Sequence, residues 1–236
     1  MSTKRIRQEA SGSGAVAQDM AAARQARDAR SQASQGDIIS AAEKLFADRG
    51  VDAVSLIEIA EAAGQKNRSA VQYHFGDKQG LIGAIRQKHQ SFIEPLRVEM
   101  LDRLEACEEA TLRDFVEVLI LPLSDRLMDP DGGSAYVRLG ANLIGHPSFG
   151  TSSPEARAQS TPARLFGHLA RRAQPLPPSL LQSRILLVTG MVFHGLSDWS
   201  RLPENKDGVD RKALDDFVQD LVTCVMAVLE TPTPES

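Results

Sequence analysis

The sequence predicts an all-α fold in two parts, a short three-helix domain followed by a larger helical domain. Aromatic residues make up only 5% of the 236 positions, while alanine, leucine and arginine are abundant. These residues favour helices, and the shortage of aromatic side chains disfavours a β-sandwich. Apolar side chains also recur three and four residues apart, which is the spacing of a helix that buries one face.

Overall composition places the chain among ordinary globular proteins. Hydrophobic residues account for 42% and charged residues for 25% of the sequence, which excludes wholesale disorder and collagen-like repetition. The longest apolar runs are too short to span a bilayer, and no secretory segment follows Met1. Cys107 and Cys224 cannot form a disulfide framework, so we expect small core residues and a reducing cytoplasm.

Charge is distributed unevenly along a chain whose net charge is −4. Residues 1–36 contain six basic and three acidic side chains, residues 37–90 contain seven of each, and the acidic excess lies in residues 91–236. A neutral-to-basic front on an acidic body is expected when only one end of a protein meets a polyanion.

Residues 1–36 are predicted to form a mobile arm rich in arginine and alanine. They contain almost no large apolar side chains and can bury little surface. Their alanine content would allow a transient helix from Ala15 to Ala33, which would bring Arg24, Arg27 and Arg30 near one stripe. Such a stripe would suit contact with phosphates. The alternative interpretation is that residues 1–36 form a solvated leader without a specific role.

Two helices are predicted in the first part of residues 37–90. The first begins at Asp37 and ends at Gly50, with apolar side chains at helical spacing. The second has a strong start signal, because Ser55 and Glu58 have the spacing of a capping box. In that arrangement each side chain accepts a hydrogen bond from the other residue's backbone N–H.

A third, short helix is predicted from Asn67 to His74, after a turn at Gly64. At 100° per residue its side chains divide between two faces. The face predicted to pack on the first two helices contains Ala70, Val71, His74 and Phe75. The opposite face presents a cation, a hydroxyl, an amide and a phenol, from Arg68, Ser69, Gln72 and Tyr73. These groups complement base edges and phosphates, and three helices with this turn have the layout of a helix-turn-helix.

Three motifs occur in order along this segment: Ala41–Gly50, Ile59–Gly64, and Tyr73–Lys78 followed by Leu81. Through these motifs the stretch Asp37–Lys88 resembles the DNA-binding domain of the TetR family of bacterial transcriptional repressors. The chain is one residue longer than the usual family pattern between Gly64 and Tyr73. Gln72 also stands where the family more often has tyrosine.

The resemblance implies a regulator that binds a palindromic double-stranded operator as a homodimer and represses transcription. A dimer suits this role because each half-site then needs only one short helix. The side chains expected at the DNA belong to the third helix and its surroundings: Ser55, Lys66, Asn67, Arg68, Ser69, Gln72, Tyr73 and Lys78. Among them, Ser55, Tyr73 and Lys78 are expected at phosphates.

The remaining helices are predicted to form an effector-binding and dimerisation domain over residues 91–236. The predicted helices are Leu81–Glu105 with Pro95 kinking or dividing it, Thr111–Met128, Ser134–Ile144, Glu155–Arg172, Ser179–Trp199 and Asp210–Leu229. The last two carry more apolar surface than one buried face uses, and the resemblance implies that they pack across a two-fold axis. The candidate dimer residues are Leu181, Ile185, Val192, Leu214, Val218 and Val225. The alternative is that all of them lie in one monomer core.

A small, largely apolar effector molecule is expected inside this domain, partly from the resemblance and partly from composition. Ligand pockets are mostly hydrophobic with a few placed polar groups. The candidate pocket residues are Phe92, Phe115, Met128, Tyr136, Arg138, Asn142, Met191, His194 and Trp199. The competing interpretation is that these residues simply fill the core.

Patterns typical of catalysis or metal binding do not occur in the sequence. The five histidines lack metal-ligand spacing, neither cysteine has a Cys-x-x-Cys partner, and no nucleophile elbow or phosphate loop is present. We therefore expect no enzymatic activity, metal or cofactor. A helical enzyme or adaptor with an incidental helix-turn-helix is the competing class, and gel-shift binding to a palindromic operator separates the two.

Overall fold

A computed structural model describes residues 3–144, 146, 160–173, 176–205 and 208–232, with side chains from residue 20 onward except at 21 and 23. Across this part of the chain there are nine α-helices, two short 3₁₀ turns and no strand, so the predicted all-α fold is confirmed. The helices are α1 Thr3–Arg49, α2 Leu56–Ala62, α3 Ala70–Phe75, α4 Lys78–Glu105, α5 Leu112–Ser124, α6 Gly133–Leu143, α7 Thr161–Arg172, α8 Pro178–Trp199 and α9 Arg211–Glu230.

The first helix is much longer than predicted. α1 extends over 47 residues, so the segment expected to be a mobile arm is, from Thr3 onward, part of one continuous helix. Its alanine and arginine residues are good helix formers, and Gly36 does not interrupt it. The predicted boundary at Asp37 instead marks where burial starts, because Ile38 is the first fully buried side chain along the described part of α1.

The three N-terminal helices enclose a small core and, with the start of α4, form the unit that we call the head (residues 37–90). Phe46, Ile59 and Val71 are each 0% exposed at its centre. α3 begins three residues later than predicted. The Asn67 side-chain oxygen accepts a hydrogen bond from the Ser69 N–H at 2.9 Å, and this local turn holds the preceding residues outside the helix.

A single helix, α4, joins the head to the rest of the molecule. Its N-cap is Asp77, whose carboxylate accepts a hydrogen bond from the Gly80 N–H at 2.9 Å. Pro95 lies inside the helix and does not divide it, although a proline removes one backbone hydrogen bond. Because α4 continues from Lys78 to Glu105, the predicted domain boundary at residue 90 falls within one continuous element.

Helices α5 to α9 and the C-terminal part of α4 form a bundle that we call the body. α5 packs between α4, α7 and α9, while α6 packs between α1 and α8. The predicted helix Thr111–Met128 is α5 followed by a 3₁₀ turn at Asp125–Met128. The predicted stretch from Glu155 to residue 159 lies outside the described residues.

The penultimate helix has one packed and one outward apolar face. Within the described residues, α8 alone is long and apolar enough to cross a membrane by length and composition. It packs against α6 and α9, and its buried Arg184 donates a hydrogen bond to the Leu229 carbonyl at 3.2 Å. Its outward side chains Leu186 and Leu187 are 63% and 60% exposed.

The two cysteines are exposed, so the prediction that they are small core residues is wrong. Cys107 lies in the loop that follows α4. Cys224 is on α9, outside the buried stripe formed by Leu221, Val225 and Leu229.

Candidate nucleic-acid interface

The start of α2 places a hydroxyl group at the surface of the head. The exposed Ser55 accepts a hydrogen bond from the Glu58 N–H at 3.2 Å, and the Glu58 carboxylate accepts one from the Ser55 N–H at 2.8 Å. Both bonds of the predicted capping box are therefore present. Because the Ser55 oxygen acts as an acceptor in this cap, its O–H remains able to donate to a phosphate.

The capping carboxylate is strongly acidic. Hydrogen bonds from Ser55 and from the Arg49 guanidinium lower the pKa of Glu58 from 4.5 to about 2. A carboxylate with a lowered pKa stabilises the fold above its ordinary pKa, and this stabilisation is lost as the pH falls towards the lowered value. The cap is thus fully charged at neutral pH.

Polar side chains cover the outer side of α3 and the turn that precedes it. Gln72 and Tyr73 are exposed on the helix itself, and Tyr73 is 83% exposed. Four further predicted residues are exposed in the turn: Lys66, Asn67, Arg68 and Ser69. Arg68 and Ser69 therefore precede the helix rather than lie on it, which corrects their predicted position.

Arg68 presents its guanidinium to solvent. One of its terminal nitrogens lies 3.3 Å from a carboxylate oxygen of Glu61, and the two side chains are 72% and 56% exposed. Ion pairs between exposed side chains contribute little to stability. The guanidinium can therefore exchange this partner for a base edge or a phosphate.

The inner side of α3 packs as predicted. Ala70 and Val71 are buried, and Phe75 packs against the head core. The half-buried His74 lies edge-on to the Tyr73 ring, with ring centroids 5.0 Å apart. This packing fixes the rotation of α3, so that Gln72 and Tyr73 point away from the molecule.

Lys78 differs from the other predicted DNA contacts. Its ammonium group donates hydrogen bonds to the carbonyls of Val51 at 2.9 Å and Asp52 at 3.4 Å, both in the loop between α1 and α2. Lys78 therefore fastens the start of α4 to that loop. This role was not predicted, because it joins residues that are distant in sequence.

About two-thirds of the way along its length, α1 contacts α3 and the turn before it, which together we call the recognition region. The Ser34 hydroxyl donates to the Gln65 side-chain oxygen at 2.8 Å, in the turn between α2 and α3. The Gln35 amide nitrogen lies 3.3 Å from the imidazole Nδ1 of His74 on α3. These contacts fix α1 against both the turn and α3.

The other end of α1 is anchored to the body. The Asn142 amide donates to the carbonyls of Phe46 at 3.2 Å and Ala47 at 3.1 Å, and Arg138 donates to the Asp48 carboxylate at 2.9 Å. α6 therefore contacts the same helix that contacts α3. α1 thus links the helix-turn-helix to α6 through direct contacts at both places.

Residues 38–85 match the family model described as bacterial regulatory proteins, tetR family. Residues 38–85 are thus a DNA-binding domain of the TetR type. Over 85 residues it is 34% identical to the HTH-type transcriptional regulator AcrR of Shigella flexneri, a match that spans 36% of this chain and 39% of the relative. Over 94 residues it is 33% identical to the Probable HTH-type transcriptional regulator ArpR of Pseudomonas putida, spanning 38% and 44% of the two chains. The match thus spans less than half the length of either curated relative.

Two solved structures are similar across most of the chain. One is described as the molecular basis for control of antibiotic production by bacterial hormones, with a TM-score of 0.46, 20% identity and coverage of 84% of this chain and 97% of that one. The other is described as a TetR-family transcriptional regulator from Rhodococcus sp., with a TM-score of 0.45, 17% identity and coverage of 84% and 100%. Regulators of the TetR family are generally transcription factors without catalytic activity.

The nine candidate effector residues of the body do not converge on one pocket. Phe115 is buried against the His168 ring, and Tyr136 is buried against the His89 ring, which raises the pKa of its phenol. Asn142 serves the α1 contact, while the others are dispersed. Phe92 and His194 are exposed, Trp199 stacks on Phe217, and Met191 packs at the edge of the core.

The remaining two, Met128 and Arg138, line a cavity of about 590 Å³ at the start of α6, which we call the junction cavity. Arg201 lies on its other side and also donates a 3.5 Å hydrogen bond to the Ala47 carbonyl of α1. Two arginines of this cavity thus contact the helix that supports the recognition region.

The candidate dimer residues are mostly part of the monomer core. Four of the six are at most 2% exposed: Val192, Leu214, Val218 and Val225. Leu181 and Ile185 are half-buried. The most regular apolar stripes belong to the inward faces of α8 and α9, so these six residues do not form an outward surface. On α8, the exposed large apolar residues are Leu186 and Leu187 instead.

A buried charged cluster joins α1 to the body and was not predicted. Glu43 of α1 contacts the His89 imidazole of α4, and both side chains are at most 1% exposed. The other ring nitrogen of His89 lies 3.0 Å from the Arg126 guanidinium, and Lys88 lies 3.3 Å from Glu43. Glu43 belongs to the first sequence motif, but its partners lie far along the chain.

Proposed function

We propose that this protein binds a palindromic operator as a homodimer, represses transcription by occupying it, and is released by a small molecule. The observation that carries the proposal is the exposed polar surface formed by Arg68, Gln72 and Tyr73 on a helix-turn-helix head. Arginine pairs with guanine and glutamine pairs with adenine in the major groove, while a phenol can donate to a phosphate.

The length of α3 supports binding in pairs. Six residues span about 9 Å, enough to contact only a few base pairs. Two copies related by a two-fold axis place two such helices in successive turns of one face of the duplex. The outward leucines of α8 supply an apolar surface that a second copy can cover, and a palindromic operator follows from that symmetry.

The overall proposal is tested by selecting fragments of the source genome with the purified full-length chain. Recovery of fragments that share an inverted repeat, and that shift in a gel at nanomolar protein, is the expected result. A helical enzyme or adaptor with an incidental helix-turn-helix would recover no common sequence. The selected operator then serves for the substitutions described below.

Arg68→Ala is expected to weaken operator binding by about 1–3 kcal/mol, because a bidentate contact to guanine is lost. Preference at the contacted base pair should relax at the same time. Fluorescence anisotropy with the operator and its single-base variants measures both effects. Arg103→Ala is the matched control, since Arg103 is 71% exposed and also pairs with a nearby glutamate but lies on the body. Equal operator affinities for the two variants would show that the turn before α3 is not part of the DNA interface.

The junction cavity is the proposed effector site. Its lining combines apolar side chains such as Leu127 and Val209 with Arg138 and Arg201. A small, largely apolar molecule with an acidic group fits this chemistry. A ligand that binds the arginines would compete with their contacts to Asp48 and Ala47 of α1, and so favour a different position of the head.

We expect a molecule that binds the junction cavity to weaken operator binding, and operator DNA to weaken binding of that molecule by the same factor. A 100-fold effect corresponds to about 2.7 kcal/mol of coupling. A thermal-shift screen of apolar carboxylic acids, followed by DNA-release assays, measures this coupling. Ser134→Phe should fill the cavity and abolish the response, whereas Ser91→Phe on the exposed surface of α4 should preserve it. Hits that stabilise the protein without changing operator affinity would contradict the switch.

A further inference from the structure

We propose that the N-terminal extension of α1 is a second DNA-binding element, in which Arg24 and Arg27 bind backbone phosphates of the duplex that flanks the operator half-site. This inference rests on the proposed operator binding. It adds a contact outside the three-helix head and predicts a longer footprint than the head alone would give.

The direction of α1 brings the extension to the DNA side of the head. The body holds α1 at Ala47 and Asp48, whereas α3 and the turn before it hold α1 at Ser34 and Gln35. These anchors are separated by about 18 Å along the helix axis. Beyond Ser34 the helix continues away from the body, past the end of the head that carries the recognition surface.

The rotation of α1 turns one face of the extension towards that side. At 100° per residue, Arg24, Arg27 and Ser31 continue the face that Ser34 and Gln35 present to the turn and α3. The opposite face consists of small uncharged residues: Ala22, Ala26, Ala29 and Ala33. Cationic side chains are therefore placed on the face that a duplex docked on α3 would meet.

The arginines of this face are available for a ligand. Arg24 is 85% exposed, and its neighbour Asp28 lies 4.0 Å away and is itself 64% exposed, a weak pairing in water. Among the described residues, Arg27 is exposed and takes part in no ion pair. The described part of the extension before Ile38 has no buried side chain, so packing does not explain the positions of its charges.

The distances match a duplex that continues beyond the half-site. Arg27 and Arg24 lie eight and eleven residues before Gln35, which corresponds to about 12 and 16 Å along the helix. With base pairs spaced at about 3.4 Å, these arginines reach roughly four to five base pairs past the point where α1 contacts α3. Phosphates are continuous along that length, so binding there needs no particular sequence.

The test compares wild type with R24A/R27A in the full-length chain, on an operator with long flanks and on one trimmed to the half-sites. For the flanked operator we expect affinity to fall on the order of tenfold or more, because two phosphate contacts per arm are lost. The slope of log K against log salt concentration should decrease by about 1.8 for each bound arm. On the trimmed operator the two proteins should bind alike.

A matched variant separates the arginine face from net charge. R24A/R27A/A22R/A29R restores two cations on the alanine face of the same helix. We expect this variant to bind the flanked operator as weakly as R24A/R27A. Full recovery of affinity would show that only net charge matters and would overturn the proposal. Protection of the arm by an acidic protein partner, with the footprint on the operator DNA unchanged, would overturn it as well.

Failure of this inference is distinguishable from failure of the proposed function. If the wild-type chain binds its operator through Arg68, but R24A/R27A leaves affinity, salt slope and footprint unchanged, the arm is not a DNA contact and the proposed function stands. If genome selection yields no operator, the proposed function fails. The salt slope on a duplex of arbitrary sequence then tests the arm alone, and equal slopes for wild type and R24A/R27A would overturn it.

Discussion

Leu187→Glu is expected to separate the proposed dimer into monomers and to lower operator affinity by about 10²–10⁴-fold, the gain that joining two binding modules supplies. Leu187 is 60% exposed on α8, next to Leu186 at 63%. One turn further, a Cβ placed on Gly190 would meet no atom within 4 Å, so a partner helix can approach closely here. A carboxylate at this position would have to be desolvated against that partner.

Sedimentation equilibrium and operator titration of the same preparation measure the two effects together. Leu202→Glu is the matched control, because Leu202 is an exposed leucine in the segment that follows α8. It should remain dimeric and bind DNA normally. A Leu187→Glu protein that stays dimeric, or a wild-type protein that sediments as a monomer at micromolar concentration, would contradict the proposed seam.

Glu43→Ala is expected to reduce the free energy of unfolding by about 1–3 kcal/mol, because removal of the carboxylate leaves a buried ring nitrogen of His89 without its hydrogen-bond partner. The substitution deprives His89 of its contact in a site that is at most 1% exposed. It also removes one of the two carboxylates that pair with Lys88, which keeps Asp131 at 2.9 Å. Urea denaturation followed by circular dichroism measures the loss.

Glu99→Ala provides the comparison, since Glu99 pairs with Arg103 at 2.7 Å but both side chains are about two-thirds exposed. This exposed pair should contribute at most about 1 kcal/mol. Losses of similar size in the two variants would mean that burial does not make the Glu43 contact more costly to remove than an exposed one. The comparison uses the same substitution in both places, so helix propensity changes equally.

Local signals made most of the head predictable. The capping box of Ser55 and Glu58 and the turn at Gly64 depend on residues close in sequence, and both occur in the structure. The start of α3 was placed too early because helical periodicity counted Arg68 and Ser69 as helical. The side chain of Asn67 decides otherwise, through a hydrogen bond to the Ser69 N–H only two residues away.

Contacts between distant residues were not predictable in the same way. Regular stripes on α8 and α9 identified apolar faces, but periodicity does not state which face meets the same chain and which meets a partner. Val192 and Val225 proved to be core, and Leu187 is outward. Likewise, Asn142 and Lys78 have the polarity of ligand-binding residues, but each bonds to backbone carbonyls far away in sequence.

The unbroken length of α1 makes it a lever. From Ala47 it is about 18 Å to Gln35 beside α3 and about 35 Å to Arg24. A tilt of roughly 10° about the body end, with this rise per residue, would displace Gln35 by about 3 Å and Arg24 by about 6 Å. Base pairs are spaced at about 3.4 Å. The tilt would therefore shift Gln35 by about one base pair and Arg24 by about two, so the two contact points would no longer match the same duplex.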